Sequence, residues 1–235
     1  MYQLTRTLFT RENRSFHHDA RLCISRLDPP LLVLNSGNIP IEGPVLITVN
    51  HYYRPGFRAW WLALAISAVV RLKIYWVITS AWTYPDWLRS HSITPLTSII
   101  LSQIARVYDF ITMPPMPPRA EDARRRALAV RKIIALARNK DHTIIAIAPE
   151  GRDPVIKGRY APTNPPPNVG RMINHLLQLN FKIIPVGAYE AEGRLCLNFG
   201  SAYRIAPPAE LEKTKLDEWI SHAVMKQISD LIPII

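Results

Sequence analysis

A histidine directly follows an apolar segment in the sequence PVLITVNHYYRPG, residues 44–56. The apolar residues predict a buried strand, and His51 stands where this strand gives way to a loop that contains Pro55 and Gly56. A buried strand is a rigid support and the loop after it faces solvent. A titratable side chain at their junction is therefore held firmly and can still reach a substrate. The alternative is an ordinary loop histidine without a chemical role.

A second segment of the same kind occurs later in the chain. Residues 143–148 form a continuous apolar run, which is typical of a strand buried on both faces of a parallel sheet. The loop that follows consists of Pro149, Glu150, Gly151, Arg152 and Asp153. Ligands of such folds gather at the carboxyl ends of the strands, so we expect this loop and His51 to share one site.

Short apolar runs alternate with longer helical patterns along the whole chain. Strands are predicted at 31–34, 44–49, 73–79, 107–112, 143–148, 181–189 and 195–199, and helices at 57–70, 96–106, 121–139, 171–179 and 210–231. This alternation predicts an α/β fold with a mostly parallel sheet flanked by helices and a terminal β-hairpin turned by Glu192 and Gly193. The stretch between Pro85 and Pro95 is predicted to be irregular.

The length of 235 residues predicts one α/β domain, residues 30–235, preceded by a basic N-terminal segment, residues 1–29. We interpret the proline-rich run 113–118 as a stiff connector, with a docking motif for a partner as the alternative. Cys23 and Cys196 are far apart and lack metal-ligand spacing. We therefore expect free thiols and a reducing compartment.

The charge balance favours an anionic partner. The chain has 29 lysines and arginines against 18 aspartates and glutamates, a formal net charge of +11. Phospholipid surfaces, nucleic acids and phosphorylated substrates all fit this charge. The predicted helix 121–139 has a basic face, which is either solvated or in contact with lipid or phosphate. This face consists of Arg124, Arg125, Arg126, Arg131, Lys132 and Arg138.

The longest apolar run, residues 59–70, is shorter than the roughly 20 residues that a membrane-spanning helix needs. We interpret it as a core helix. The alternative is a helix in the membrane interface, because Trp60 and Trp61 at its start would suit the headgroup boundary.

Residues 1–26 show no apolar core followed by a cleavage site, so no secretory signal is predicted. The usual nucleotide-binding and serine-hydrolase motifs are also missing from the sequence.

Four features in order along the chain together resemble the glycerolipid acyltransferases of the lysophosphatidic acid acyltransferase (PlsC-like) superfamily. They are Asn50-His51, the loop from Pro149 to Arg152, the strand residues 183–187 and the ending 224–233. The resemblance covers residues 30–233 and implies a glycerol-3-phosphate acyltransferase-like fold. It also implies that an acyl group moves from an acyl-CoA or acyl-ACP co-substrate to the hydroxyl of a lysophosphatidate-like glycerolipid in phospholipid synthesis.

The resemblance further implies a peripheral enzyme at the cytoplasmic face of an anionic membrane, without a bound cofactor, a metal or a nucleic-acid partner. His51 corresponds to the general base and Asn50 to its supporting neighbour. Glu150, Gly151 and Arg152 correspond to the loop that holds the acceptor and its phosphate. Arg54 is unusual at its position, where a cation would disfavour the imidazolium but could bind a substrate phosphate or carboxylate.

Two positions depart from the family pattern. Gly56 stands where the family has an aspartate, and the second loop lacks a threonine before Arg152. No other histidine of the chain has an aspartate five residues further on. Losing the orienting carboxylate of a catalytic triad costs on the order of 10⁴ in turnover, so the reaction would need a replacement. The candidates are Asp153 first, then Glu150, Asp109 and Asp86.

Three functions are therefore compatible with the sequence. The first is an acyltransferase with a rearranged histidine–carboxylate pair. The second is a catalytically inactive relative that binds lipid or has a regulatory role, because Gly56 replaces the motif aspartate. The third is a basic nucleic-acid-binding module, which the chain matches only in charge, since it lacks the aromatic-basic RNA motifs and a helix-turn-helix.

Overall fold

The structure, a computed structural model, describes residues 14–52, 60–84, 86–116, 119–139, 142–151, 165–208 and 211–233. The helices in these ranges are α1 (Phe16–Ile24), α2 (Trp60–Val69), α3 (Trp87–Tyr108), α4 (Ala123–Asn139), α5 (Val169–Gln178) and α6 (Lys213–Ser229). The strands are β1 (Leu32–Leu34), β2 (Val45–Val49), β3 (Ile74–Thr79), β4 (Ile111–Met113), β5 (Ile144–Ile147), β6 (Lys182–Ala191) and β7 (Arg194–Phe199). Short 3-10 helices occupy Ser36–Asn38 and Ala120–Asp122.

The strands form a seven-stranded sheet in the order β1-β7-β6-β2-β5-β3-β4. The five strands β6, β2, β5, β3 and β4 are parallel, whereas β7 is antiparallel to β6 and β1 pairs in parallel with β7. Glu192 and Gly193, with φ of 53° and 72°, turn the β6–β7 hairpin. Positive φ at both central residues suits a tight hairpin turn. The predicted α/β fold with a mostly parallel sheet and a terminal hairpin is confirmed.

The two middle strands β2 and β5 are buried along their full lengths. Alternate residues of β5 point to opposite faces: Ile144 and Ala146 join the core under α1, α2 and α3, while Ile145 and Ile147 join the core under α4, α5 and α6. A strand that is covered on both faces has no polar side, which explains the continuous apolar run in the sequence. The loops that follow β2 and β5 therefore extend from strands that are buried on both faces.

The helix α3 corrects the prediction for the stretch between Pro85 and Pro95. It begins at Trp87, capped by the side chain of Asp86, and runs 22 residues with Pro95 inside it. A proline removes one backbone hydrogen bond from a helix, but Pro95 lies on the exposed side, where water can replace that bond. The helix also takes up residues 107–108, which the sequence assigned to a strand, so β4 is shorter than predicted.

The helix α1 was not predicted, although it packs firmly against the rest of the fold. Its Ala20 is fully buried, and the ring of His17 bonds to the carbonyl of Ser67 in α2 at 2.7 Å. Arg14 donates two hydrogen bonds to the carboxylate of Asp19, at 2.6 and 2.8 Å, and the hydroxyl of Tyr108 donates a third at 2.9 Å. The ring of Phe16 meets that of Tyr108 edge to face at 4.9 Å. The division at residue 29 stays a prediction, but residues 14–24 belong to the same core as the sheet.

Both cysteines are free thiols, as the sequence predicted, and they differ in exposure. Cys23 is exposed on α1, whereas Cys196 is only 1% exposed in β7. Burial raises the pKa of the Cys196 thiol. Within the described ranges, no helix combines the length and the apolar character that crossing a bilayer requires.

Candidate active site

His51 and Asn50 follow β2 at the carboxyl edge of the sheet. Asn50 is fully buried and its side chain continues the strand pairing. Its amide nitrogen donates to the carbonyl of Ala188 at 2.8 Å, and its amide oxygen accepts from the N–H of Ala188 at 2.7 Å. This pair of bonds fixes the backbone immediately before His51 to β6. The structure thus gives Asn50 a positioning contact beside the histidine.

Glu150 reaches the same place from the neighbouring strand. Thr48 of β2 lies opposite Ile147 of β5, so the residues that follow each strand stay side by side. The backbone N–H of His51 donates to Oε2 of Glu150 at 2.5 Å. Glu150 is only 1% exposed, so its carboxylate is enclosed directly beside the histidine. The expectation that the two loops meet is met for these two residues.

A tight turn presents Glu150. The N–H of Gly151 donates to the carbonyl of Ala148 at 3.1 Å, which closes a turn with Pro149 at its first central position. Gly151 then has a φ of 64°, a left-handed conformation that favours glycine. A Cβ at Gly151 would lie 3.4 Å from the side chain of Met116, so the connector that follows β4 packs against this loop.

Arg54, Gly56, Arg152 and Asp153 lie outside the described residues. Two other candidate carboxylates are described, and both are engaged elsewhere. Asp109 ends α3, at the opposite edge of the sheet from His51, and its Oδ2 accepts from Nζ of Lys73 at 2.8 Å. Asp86 caps the start of α3 by accepting from the backbone N–H of Arg89 at 2.9 Å. Of the described candidates, Glu150 is the carboxylate that the fold places at His51.

Glu190 is a second carboxylate near this edge, and it was not predicted as a site residue. The hydroxyl of Tyr52 donates to Oε2 of Glu190 at 3.0 Å. Tyr52 is two residues after Asn50, and Glu190 is two residues after Ala188, so the same alternation brings both pairs together. The pair could be predicted only from the register between β2 and β6, and a single sequence does not reveal which strands are neighbours.

The N-terminus of α5 also lies at the carboxyl edge, because this helix precedes β6. Helix N-termini often bind phosphate in α/β proteins. Here the carboxylate of Asp217 in α6 already accepts from the backbone N–H groups of Asn168 and Arg171, at 2.6 and 2.9 Å. Gly170 allows this approach, since a Cβ there would collide with the backbone oxygen of Asp217. The N-terminus of α5 is thus already bonded to the Asp217 carboxylate.

In the part of the chain that the structure describes, no three histidine, cysteine, aspartate or glutamate side chains come together as a metal site requires. The described site residues are a histidine, two carboxylates, an asparagine and a tyrosine. A histidine beside an enclosed carboxylate can accept and return a proton. The set therefore suits acid–base chemistry.

No family model matches the chain, and no curated protein matches it. Among solved structures, it is similar to the 1-acyl-sn-glycerophosphate (LPA) acyltransferase PlsC from Thermotoga maritima. The TM-score is 0.54 and the sequence identity 14%, over 92% of this chain and 78% of the other. An identity this low shows the fold alone. The mostly parallel seven-stranded sheet with its flanking helices is a PlsC-like acyltransferase fold.

Proposed function

We propose that the chain is an O-acyltransferase that moves a fatty acyl group from acyl-CoA or acyl-ACP to the hydroxyl of a lysophosphatidate-like glycerolipid. His51 accepts the proton of the acceptor hydroxyl while that oxygen attacks the thioester carbonyl. The carbon–sulfur bond then breaks and the thiol leaves with the proton from the imidazolium. The products are an acylated glycerolipid and free CoA or carrier thiol.

The contact between His51 and Glu150 is the observation that supports this proposal most. Two neighbouring parallel strands each deliver one of them to the same edge, where the His51 N–H donates to the Glu150 carboxylate. Glu150 acts as a positioning residue, since its described contact is with the backbone of His51. Arg54 and Arg152 are proposed to bind the acceptor phosphate through charge-assisted hydrogen bonds, and Asp153 remains the first candidate for orienting the imidazole.

The same proposal includes the partners and the location. The acceptor is a membrane lipid, so the enzyme works as a peripheral protein at the cytoplasmic face of an anionic membrane. The net charge of +11 supports attraction to such a surface. No bound cofactor and no nucleic acid take part in the proposed reaction.

The experiment supplies the purified protein with labelled acyl-CoA or acyl-ACP and lysophosphatidate. Transfer is expected in the wild type, and His51→Ala should lower its rate by about 10²- to 10⁴-fold, the usual contribution of a general base. His175→Ala is the matched control, because His175 is an exposed histidine of α5. Equal loss in the two variants would count against His51 as the base.

A second function, a lipid-binding relative without catalysis, is favoured by Gly56 in place of the motif aspartate. The variants Gly56→Asp and Asp153→Asn separate the two. Wild-type transfer that disappears in Asp153→Asn supports a rearranged histidine–carboxylate pair. No transfer by the wild type, with transfer gained by Gly56→Asp, contradicts the enzyme and supports the second function.

A further inference from the structure

The first four turns of α3 expose large apolar side chains to solvent. Six of them are between 37% and 73% exposed: Trp87, Leu88, Ile93, Leu96, Ile99 and Ile100. Globular proteins expose scattered apolar residues routinely, but a group of this size within four turns of one helix marks an interaction surface. We call these six residues the α3 apolar face.

Helical geometry places the centre of this face on the outside of the molecule. Leu88, Leu96 and Ile99 are spaced by eight and three residues, which brings them onto one side of a helix. Thr97 and Leu101 are buried on the opposite side. At about 1.5 Å per residue, the stretch from Trp87 to Ile100 is ~20 Å long. The face thus extends along these four turns, with the exposed polar side chains of His91 and Ser92 between its apolar members.

The α3 apolar face starts at the same edge of the sheet as the candidate site. The helix α3 follows the carboxyl end of β3, and His51 follows the carboxyl end of the parallel strand β2. Two further half-exposed tryptophans lie at this edge. Trp60 begins α2, and Trp82 bonds through its backbone N–H to the Thr97 hydroxyl at 3.1 Å. Tryptophan concentrates at membrane–water interfaces, where its ring spans the apolar and the polar layer.

The charges around the face fit an anionic surface. The 22 residues of α3 include Arg106 and Arg89 but no aspartate or glutamate, although Arg89 pairs at 3.7 Å with Asp86, which precedes the helix. The helix α4 packs on the other face of the sheet but also begins at this edge, where four arginines lie close to two acidic residues. The group consists of Arg119, Arg124, Arg125 and Arg126, against Glu121 and Asp122. Two of these arginines form ion pairs, Arg119 with Glu121 and Arg125 with Asp122. A second copy of the same basic chain would meet like charges on this surface, whereas anionic lipid headgroups would meet opposite ones.

We propose that the α3 apolar face, with Trp82 beside it and Trp60 at the same edge of the sheet, docks on an anionic phospholipid bilayer. The apolar side chains enter the boundary between headgroups and acyl chains, and the neighbouring arginines contact the headgroups. This orientation turns the carboxyl edge of the sheet, with His51, toward the lipid. The docking deepens the proposed function, on which it rests, by naming the surface through which the site would meet its lipid acceptor.

The test measures co-flotation of the full chain with phosphatidylcholine vesicles, with and without phosphatidylglycerol, at low and high salt. Wild type is expected to float best with the anionic vesicles at low salt. The double variant Leu96→Ser/Ile99→Ser removes apolar surface without adding charge and should weaken vesicle binding about tenfold or more. Ile41→Ser is the control, since this side chain is exposed but precedes β2 at the amino edge of the sheet.

The results of flotation decide whether the face meets lipid, a second copy of the chain or neither. Undiminished flotation of the double variant, or an equal loss in Ile41→Ser, overturns the proposal. Wild type that does not bind vesicles but forms a dimer, which the double variant dissolves, assigns the face to a second copy instead. Circular dichroism and thermal unfolding confirm that each variant is folded before its binding is compared.

A measurement at Trp87 tests the depth of docking without removing the face. Lipids brominated along the acyl chains quench the fluorescence of nearby tryptophans, so part of the wild-type emission should be quenched. Trp87→Phe is expected to reduce the quenched fraction, whereas Trp219→Phe in α6, on the other side of the sheet, should leave it unchanged. An unchanged fraction in Trp87→Phe contradicts the docking.

Failure of the docking and failure of the catalytic proposal remain distinguishable. Acyl transfer between water-soluble, short-chain substrates needs no vesicle, so the double variant should retain it while losing flotation. Flotation by a chain that transfers no acyl group supports the docking and rejects the enzyme. Acyl transfer by a chain that does not float with vesicles supports the enzyme and rejects the docking.

Discussion

The side-chain amide of Asn50 bonds to both backbone polar groups of Ala188, so a side chain forms the last rung of the β2–β6 pairing. Asn50 is fully buried, and so is Ala188. Water therefore cannot replace either bond if the amide is lost. This buried pair connects the stability of the fold directly to the position of the neighbouring His51.

Replacing Asn50 with alanine leaves the N–H and the carbonyl of Ala188 buried without this partner. Each such group costs roughly 1–3 kcal/mol, so we expect Asn50→Ala to lower the free energy of unfolding by about 3 kcal/mol. Urea unfolding followed by circular dichroism measures the loss. The exposed Asn139 at the end of α4 supplies the control, and Asn139→Ala should change little. A loss below about 1 kcal/mol for Asn50→Ala would contradict this account.

The effect of replacing Glu150 on stability depends on whether the new side chain keeps an acceptor oxygen. Glutamine keeps an oxygen that can accept from the His51 N–H, whereas alanine removes the acceptor and leaves a cavity. We expect Glu150→Ala to lower the free energy of unfolding by about 2 kcal/mol more than Glu150→Gln does. The acyl-transfer assay adds a second readout: a positioning role predicts a fall in kcat with little change in KM. Equal unfolding curves for the two variants would show that the contact does not stabilise the loop.

Gly170 and Gly37 form a matched pair for testing the contact between α5 and α6. A Cβ at Gly170 would collide with the backbone oxygen of Asp217, while one at Gly37 meets nothing within 4 Å. Gly170→Ala forces the two helices apart and disturbs the cap that Asp217 provides, so we expect a loss of about 3 kcal/mol. Gly37→Ala should stay within about 0.5 kcal/mol of the wild type. Thermal unfolding of both variants compares the two positions.

The buried carboxylate of Asp19 makes the free energy of unfolding depend on pH. Burial by itself raises the pKa of Asp19, but hydrogen bonds from Arg14 and Tyr108 outweigh it and lower the pKa below its ordinary value of 3.8. The folded state therefore binds the proton more weakly than the unfolded state. The stabilisation is complete well above pH 3.8 and is lost as the pH falls through the folded-state pKa.

We expect Asp19→Asn to cost about 2 kcal/mol at neutral pH, with the difference from wild type shrinking below pH 3.8. Urea unfolding across this pH range measures the difference. The control is Asp230→Asn, which breaks the exposed ion pair with Lys226 and should cost under about 0.5 kcal/mol. A difference for Asp19→Asn that does not change with pH would contradict the lowered pKa.

Periodicity and apolar runs were enough to predict the α/β fold. The run 143–148 identified β5, and Pro44 to Val49 identified β2, because strands buried on both faces leave an unmistakable apolar signal. The expectation that both loops meet follows from topology alone, since parallel strands present their carboxyl ends at one edge. Neighbouring strands then bring His51 and Glu150 together without any further signal in the sequence.

The features that the sequence did not predict depend on contacts between residues far apart in the chain. The helix α1 is short and carries a histidine pair and an aspartate, and its stability depends on partners such as Tyr108 far along the chain. Pro85 and Pro95 predicted an irregular stretch between them, but Pro95 lies on the exposed side of α3, where a proline costs the helix little. The pair of Tyr52 and Glu190 depends on a strand register that no local pattern encodes.

Because the two thiols differ in exposure, thiol labelling can follow the unfolding of the protein. A maleimide reagent reaches Cys23 on α1 in the folded protein, whereas Cys196 is enclosed in β7. The first equivalent of reagent should therefore be consumed at once and the second only when β7 opens. Counting labelled thiols against time would give the opening rate of the hairpin in the unaltered sequence, with Cys23 as the internal standard.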